Sequence, residues 1–258
     1  MTSQPANQLT SKLINYTLHL ADNAVVLAQR NSEWCGHGPI LEQDIALTNI
    51  ALDLIGQARN FYQYAATLIS AETDEDKLAF LRTNREYKNC LLTEQLNGDW
   101  AKTTLRQFLF STYQLYLYEK LQHSTNEQLA AIAAKAIKEV AYHVRWSSEW
   151  VIRLGDGTSE SHSRMNNAIA DLWPYTGEMF IPADYEKAMA ESGAGVDSSC
   201  IKEPWMKKVA DVFNEAGLII PSSGFMHTGG KQGIHTEHLD HLLTEMQYMQ
   251  RAYPDCNW

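Results

Sequence analysis

A chain of 258 residues, 45% of them hydrophobic, is long enough to close a sizeable core, and we expect a single domain over residues 1–258. Its formal net charge of -10 argues against nucleic acid or an anionic membrane as the main partner, because either needs a positive footprint. The four cysteines, Cys35, Cys90, Cys200 and Cys256, form no C-x-x-C pair, which argues against a disulfide framework or a thiolate zinc site and fits a reducing cytoplasm. Met1 to Leu20 shows no basic stretch followed by an apolar one, and no apolar run approaches the roughly 20 residues of a membrane span. A soluble cytoplasmic protein is the expectation.

Helical periodicity runs through almost the whole chain. Leu13, Tyr16, Leu20, Ala24 and Leu27 recur at spacings of three and four and predict a first helix that ends before the turn-rich Cys35-Gly36-His37-Gly38-Pro39. A second helix is predicted from about Leu41 to Ile69, with Ile45, Leu52, Ile55 and Leu68 among its apolar positions. A third spans about Asp76 to Gln95 and stops at Asn97-Gly98, a strong turn signal. A fourth, rich in Tyr and Phe, runs from Trp100 to about Gln122, and a fifth from Gln128 to Leu154. Shorter helices are predicted at about Met165 to Phe180, Lys202 to Ala216 and His235 to Arg251, with looser stretches at Ser159 to Ser163, Ser192 to Asp197 and Pro221 to Gly233. No segment alternates long enough to propose a sheet, so the predicted fold is all-α: a bundle of long antiparallel helices with a helical C-terminal extension.

The fifth helix carries Lys135, Glu139 and His143, continuing as Trp146 and Trp150, on one face. That face reads as interior, where ionisable groups need a metal or a partner to offset desolvation. The second helix has its own polar line, Asn49, Asp53, Gln57 and Asn60, which predicts either an opposing ligand-bearing face or a partly solvated one. A carboxylate-bridged di-iron bundle needs Glu-x-x-His on two helices. None of the nine histidines has an acidic residue three positions before it, and Glu139 precedes His143 by four. We therefore expect no metal in this chain and no catalytic residue, with Lys135 pairing Glu139 where a metal would otherwise sit.

Other motifs carry less. His235, His238 and His241 drift too far round a helix to share one zinc ion, and Gly229-Gly230-Lys231 departs from a phosphate loop in spacing and in Gln232, predicting a flexible surface loop. Cys35 and His37 share a turn and predict packing. Arg82, Arg85 and Lys88 recur at spacing three on the predicted third helix, a basic spot that could meet phosphates or simply face solvent; Lys187 and Lys207-Lys208 are alternatives.

Several segments together resemble one family. Ser32-Glu-Trp-Cys-Gly-His-Gly-Pro39, Asn49-Ile-Ala-Leu-Asp-Leu-Ile-Gly-Gln-Ala-Arg-Asn60, Glu94-Gln-Leu-Asn-Gly-Asp99, Ala133-Ala-Lys-Ala-Ile-Lys-Glu-Val-Ala-Tyr-His143 and Thr228-Gly-Gly-Lys-Gln-Gly-Ile-His-Thr-Glu-His238 resemble the PaaA/PaaC family, subunits of bacterial phenylacetyl-CoA 1,2-epoxidase, in its structural branch. The resemblance covers Leu9 to Trp258. It implies a ferritin-like helical bundle in a hetero-oligomeric monooxygenase complex of phenylacetate catabolism. The implied partners are a homologous catalytic subunit, PaaA, holding the di-iron centre, a flavin and iron-sulfur reductase, and small accessory subunits. It also implies contacts to the CoA of phenylacetyl-CoA, for which Glu86, Tyr87, Lys88, Asn89 and Lys187 are the positions carried over. Asn49, Asp53, Lys135, Glu139 and His143 then read as a vestigial metal site held by ion pairs. Two other readings stay open: an active di-iron monooxygenase using Asp53, Glu139 and His143 as irregular ligands, and a free-standing helical ligand-binding module.

Overall fold

The computed structural model describes residues 3–222, 224–254 and 256, so the loop reading at Pro221 to Gly233 stands without residue 223, and the expected domain bounds lie outside the described residues at both ends. Among the described residues there is no strand, and the helices are α1 (Ser3–Ser32), α2 (Leu41–Ile69), α3 (Glu75–Phe80), α4 (Trp100–Leu121), α5 (Glu127–Gly155), α6 (Ser159–Leu172), α7 (Asp184–Glu191), α8 (Lys202–Glu215), α9 (Glu237–Met246) and α10 (Tyr248–Ala252). Short connections fold α1 onto α2 and α4 onto α5 as two antiparallel pairs, and α2 meets α5 between them. This is the ferritin-like bundle, with α6 to α10 wrapped around it. No helix among the described residues is long and apolar enough to cross a membrane.

Side-chain caps set where the long helices begin. Asp99 accepts a hydrogen bond from the Lys102 amide at the start of α4, and Asn126 accepts one from Leu129 at the start of α5. Gly98, at φ +60°, supplies the left-handed turn before the first of these. At α6 the sequence misleads: Ser159 to Ser163 is helical because Thr158 and Ser161 cap one another's backbone amides. The predicted helix at Met165 to Phe180 accordingly starts earlier and ends at Leu172, giving way to two 3-10 turns. Helix α7 has no counterpart among the predicted elements; Glu186 caps it by accepting from the Ala183 amide at 2.7 Å.

Two helices, α1 and α4, are enclosed on every side, from Tyr16 to Ala24 and from Thr103 to Gln114. A fully enclosed helix must satisfy its polar side chains inside the protein. In α1 His19, Asp22 and Asn23 are among these, and they reach the segment 82–95, which the sequence predicts as the end of a long helix. The chain instead leaves α3 at Phe80, makes a 3-10 turn at Asn84–Glu86, and continues irregularly but buried to Gln95. The cause is tertiary. Asp22 takes the Lys88 amide at 2.8 Å, Asn23 takes the Cys90 amide at 2.8 Å, and Glu178 takes the Leu91 amide at 2.8 Å. The Arg82 guanidinium bonds the Leu78 and Glu86 carbonyls. With its amides and carbonyls matched by outside partners, the backbone has no need of a helical ladder.

The Gly229-Gly230-Lys231 segment also differs from expectation. Gly230 and Lys231 are buried, and the Lys231 ammonium donates to Glu186 at 2.9 Å and to the Ile181 carbonyl at 3.1 Å. A Cβ on Gly230 would stand 2.3 Å from the Asn89 carbonyl oxygen, so only glycine admits this close approach.

Candidate functional site

The middle of the bundle is crossed by a chain of neutral amides. Gln57 of α2 is buried; its Nε2 donates to Glu139 Oε2 of α5 at 2.9 Å, and its Oε1 accepts from Gln114 Nε2 of α4 at 2.9 Å. Gln114 also donates to the Tyr118 hydroxyl at 3.1 Å. One helical turn along, His143 Nε2 stands 3.0 Å from Asp53 Oδ2. His143 is fully buried, and its Nδ1 has no hydrogen-bond partner among the described residues; the same holds for Gln114 Oε1.

Of the five residues assigned to an ion-pair network, the structure joins two directly. Asp53 and His143 pair, and Glu139 is half-buried against Gln57. Asn49 is exposed on the outer side of α2. Lys135 is also exposed and makes no ion pair among the described residues, so the expected Lys135–Glu139 bridge is absent. The stripe on α5 slopes from the rim inward: Lys135 lies in solvent, Glu139 at the boundary, and His143 and Trp146 in the core. A lysine able to reach water stays there, since full burial would cost more than one carboxylate at the boundary returns. Trp146 and Trp150 end the stripe by donating to one acceptor, Gln43 Oε1, at 3.0 and 2.7 Å.

This set does not fit a di-iron centre. Such a centre draws four carboxylates and two imidazoles from four helices. Here two half-buried carboxylates, Glu139 and Asp53, and one imidazole, His143, stand among two amides and a phenol. Among the described residues no three His, Cys, Asp or Glu side chains converge where they could hold an ion.

The residues carried over for CoA contact divide in a similar way. Tyr87 and Asn89 are buried, Tyr87 donating to the Ala79 carbonyl and Asn89 to Glu94 at 2.8 Å. Glu86 is exposed but accepts from the Thr83 amide at 2.7 Å as a cap, which holds its carboxyl below the usual range. Lys88 is half-buried, its ammonium 5.8 Å from the Tyr185 ring centroid; burial lowers its pKa. Lys187, two residues from that ring on α7, is exposed. The basic spot read from Arg82, Arg85 and Lys88 does not form one face, because no helix runs through them and Arg82 is buried.

Sequence reasoning missed the densest polar assembly. Asp22 binds Arg82 through both oxygens and accepts from the Tyr62 hydroxyl at 2.6 Å. Glu186 joins Lys231 and lies 3.8 Å from His19, whose burial lowers its pKa and keeps the ring neutral, with Nδ1 donating to the Lys88 carbonyl at 2.6 Å. Glu94 accepts from His235 Nδ1 at 2.8 Å and from the Thr236 amide at 2.7 Å, while His235 Nε2 donates to the Tyr87 carbonyl at 3.0 Å. Burial opposes charge on that ring, but the hydrogen bond and field of Glu94 overcome it and raise the pKa. The one visible signal is the run of His19, Asp22 and Asn23 inside an apolar helix. His235, His238 and His241 do not gather: His235 precedes α9, and His241 is exposed. His37 Nδ1 contacts the Cys35 carbonyl at 3.1 Å, a turn contact that leaves the thiol aside.

The family described as phenylacetic acid catabolic protein matches residues 1–258. The chain is 49% identical over 252 residues to one of the subunits of the 1,2-phenylacetyl-CoA epoxidase of Escherichia coli (strain K12), covering 98% of this chain and 100% of that one.

Proposed function

Because the chain belongs to the PaaA_PaaC family of phenylacetic acid catabolic proteins, we propose that it is the structural subunit of a cytoplasmic multicomponent phenylacetyl-CoA epoxidase. Its role is to support a homologous catalytic subunit whose di-iron centre, supplied with O2 and with electrons from a flavin and iron-sulfur reductase, epoxidises the aromatic ring; small accessory subunits complete the complex. The observation that carries the non-catalytic role is the Gln57–Gln114–Glu139 chain, which fills the bundle centre with amides where iron would need carboxylates. The alternative of irregular ligands is disfavoured because Asp53 and His143 engage each other while Glu139 engages Gln57.

Anaerobic reconstitution with Fe(II), followed by metal analysis of the separated chains, tests this reading. The expected result is iron in the catalytic subunit, none in stoichiometric amount here, and turnover only with both. Two iron atoms bound per copy of this chain would overturn it. Any contact to CoA falls to Lys88 and Lys187, which flank Tyr185, since Tyr87 and Asn89 are enclosed. Replacing both lysines by Ala should raise KM for the acyl-CoA without dissociating the complex.

A further inference from the structure

Most lysines of this chain either meet a carboxylate or stand in water. Lys77, Lys102, Lys187, Lys207 and Lys231 each reach an acid within 4.0 Å, and Lys120, Lys135, Lys138 and Lys202 are exposed. Lys88 differs from both sets. It is half-buried, its ammonium lies over the Tyr185 ring at 5.8 Å from the centroid, and it makes no hydrogen bond or ion pair among the described residues.

The fold isolates this amine by committing the neighbouring acid elsewhere. Asp22 Oδ1 accepts from Arg82 and from the Tyr62 hydroxyl, while Oδ2 accepts from Arg82 and from the Lys88 amide itself. The Lys88 carbonyl accepts from His19 Nδ1 at 2.6 Å, so the backbone is pinned on both sides of the residue. Of the titratable groups around it, His19 and Tyr185 are neutral, and Lys231 and His235 on the adjoining segment are tied to Glu186 and Glu94. That leaves Asp22 favouring the ammonium and Arg82 opposing it; burial is the largest effect, and with Arg82 it outweighs Asp22 and lowers the pKa. A lysine with more of its amine uncharged is a better nucleophile, since the free fraction rises faster than intrinsic reactivity falls, as it does for thiols.

We propose that Lys88 is an acylation site for an acyl-CoA thioester. Its ε-amine attacks the thioester carbonyl carbon, the C–N bond forms as the C–S bond breaks, CoA leaves as the thiol with the proton the amine gives up, and an amide remains on the chain. No oxidant or further reactant is needed. The proposal rests on the reading that this chain contacts an acyl-CoA, and it deepens that reading. Acylation removes the positive charge from one of the two lysines to which the contact falls, so excess thioester lowers the affinity for itself.

The test is incubation of the full-length chain with phenylacetyl-CoA and, in parallel, with phenylacetyl-N-acetylcysteamine, a thioester without the nucleotide, followed by mass spectrometry of the intact chain and its peptides across pH. The expected result with both is one phenylacetyl group on Lys88, added on the order of tenfold faster than on Lys120, Lys135, Lys138 or Lys202, at a rate that levels off at lower pH than theirs. In urea the preference should vanish. Lys88→Arg should lose the modification and Lys187→Arg should keep it, with circular dichroism showing both folded. Modification spread evenly over the exposed lysines, or absent from Lys88 with both thioesters, would overturn the proposal while leaving the role in the complex to the iron measurement. Reaction with the small thioester alone would overturn acyl-CoA as the donor. In the assembled complex, prior acylation of wild type should raise KM for the acyl-CoA, and the same treatment of Lys88→Arg should not; an unchanged KM would overturn the self-limiting effect. Iron held by this chain would overturn the functional reading instead, and the small thioester would still report on Lys88.

Discussion

At the centre of the bundle, Gln57 does what an ion would do in a metal-holding relative of this architecture: it ties α2 to both α4 and α5. Its replacement by Leu keeps the volume but leaves Glu139 and Gln114 each short of a partner, and it should destabilise the chain by about 1–3 kcal/mol in urea titration. Lys135→Ala is the matched control. That side chain is exposed and unpaired, so its loss should fall within about 0.5 kcal/mol, although the sequence pattern alone would rank it first. His235 gives the residue scale a pH dependence. Its pKa is raised above the ordinary 6.5 by Glu94, so the stabilisation is fully present below about 6.5 and is lost as pH rises through the higher folded value. His235→Gln removes the titrating charge; its stability deficit relative to wild type should be largest in mild acid and shrink as the solution is made alkaline. A deficit independent of pH would show that the ring acts only by shape.

Elements are legible in proportion to how locally they are determined. The four long helices announce themselves because their periodicity, the Asn97-Gly98 turn and the caps Asp99 and Asn126 lie within a few residues of the ends they set. The segment from Leu81 to Gln95 reads falsely as helix because what stops its helix lies far away in sequence: Asp22 and Asn23 on α1, and Glu178 after α6. The same distance hides the meeting of Glu94 with His235, two residues that sit in separate family-like motifs. Periodicity places the stripe on α5 correctly on one face, but pattern gives no depth, and the same face passes from solvent at Lys135 to core at His143. Close approach of two such segments gives a prediction at this scale. Gly230→Ala forces a Cβ to 2.3 Å from the Asn89 carbonyl, and neither backbone can yield while both are held by Glu178. The variant should lose at least about 1–3 kcal/mol, with the earliest loss of amide protection at Asn89–Leu91 and Gly229–Lys231 in hydrogen exchange.

For the whole molecule, the location of the polar groups decides how it responds to metal. A bundle whose folding depends on a bound ion gains stability with ion concentration and loses it to chelators, because only the native state binds. In this chain the links between packed segments are carried by amides and by ion pairs between protein groups, Asp22 with Arg82, Glu186 with Lys231 and Glu94 with His235, each complete without an outside charge. Excess chelator should therefore leave the unfolding midpoint of the isolated chain unchanged, and added Fe(II) should not raise it. The catalytic subunit, if its iron contributes to folding, should shift under both treatments. A chelator-induced fall of several degrees in this chain alone would mean that a metal ion contributes to its folded state, and the amide chain through Gln57 would then have to be reinterpreted as the outer support of that ion.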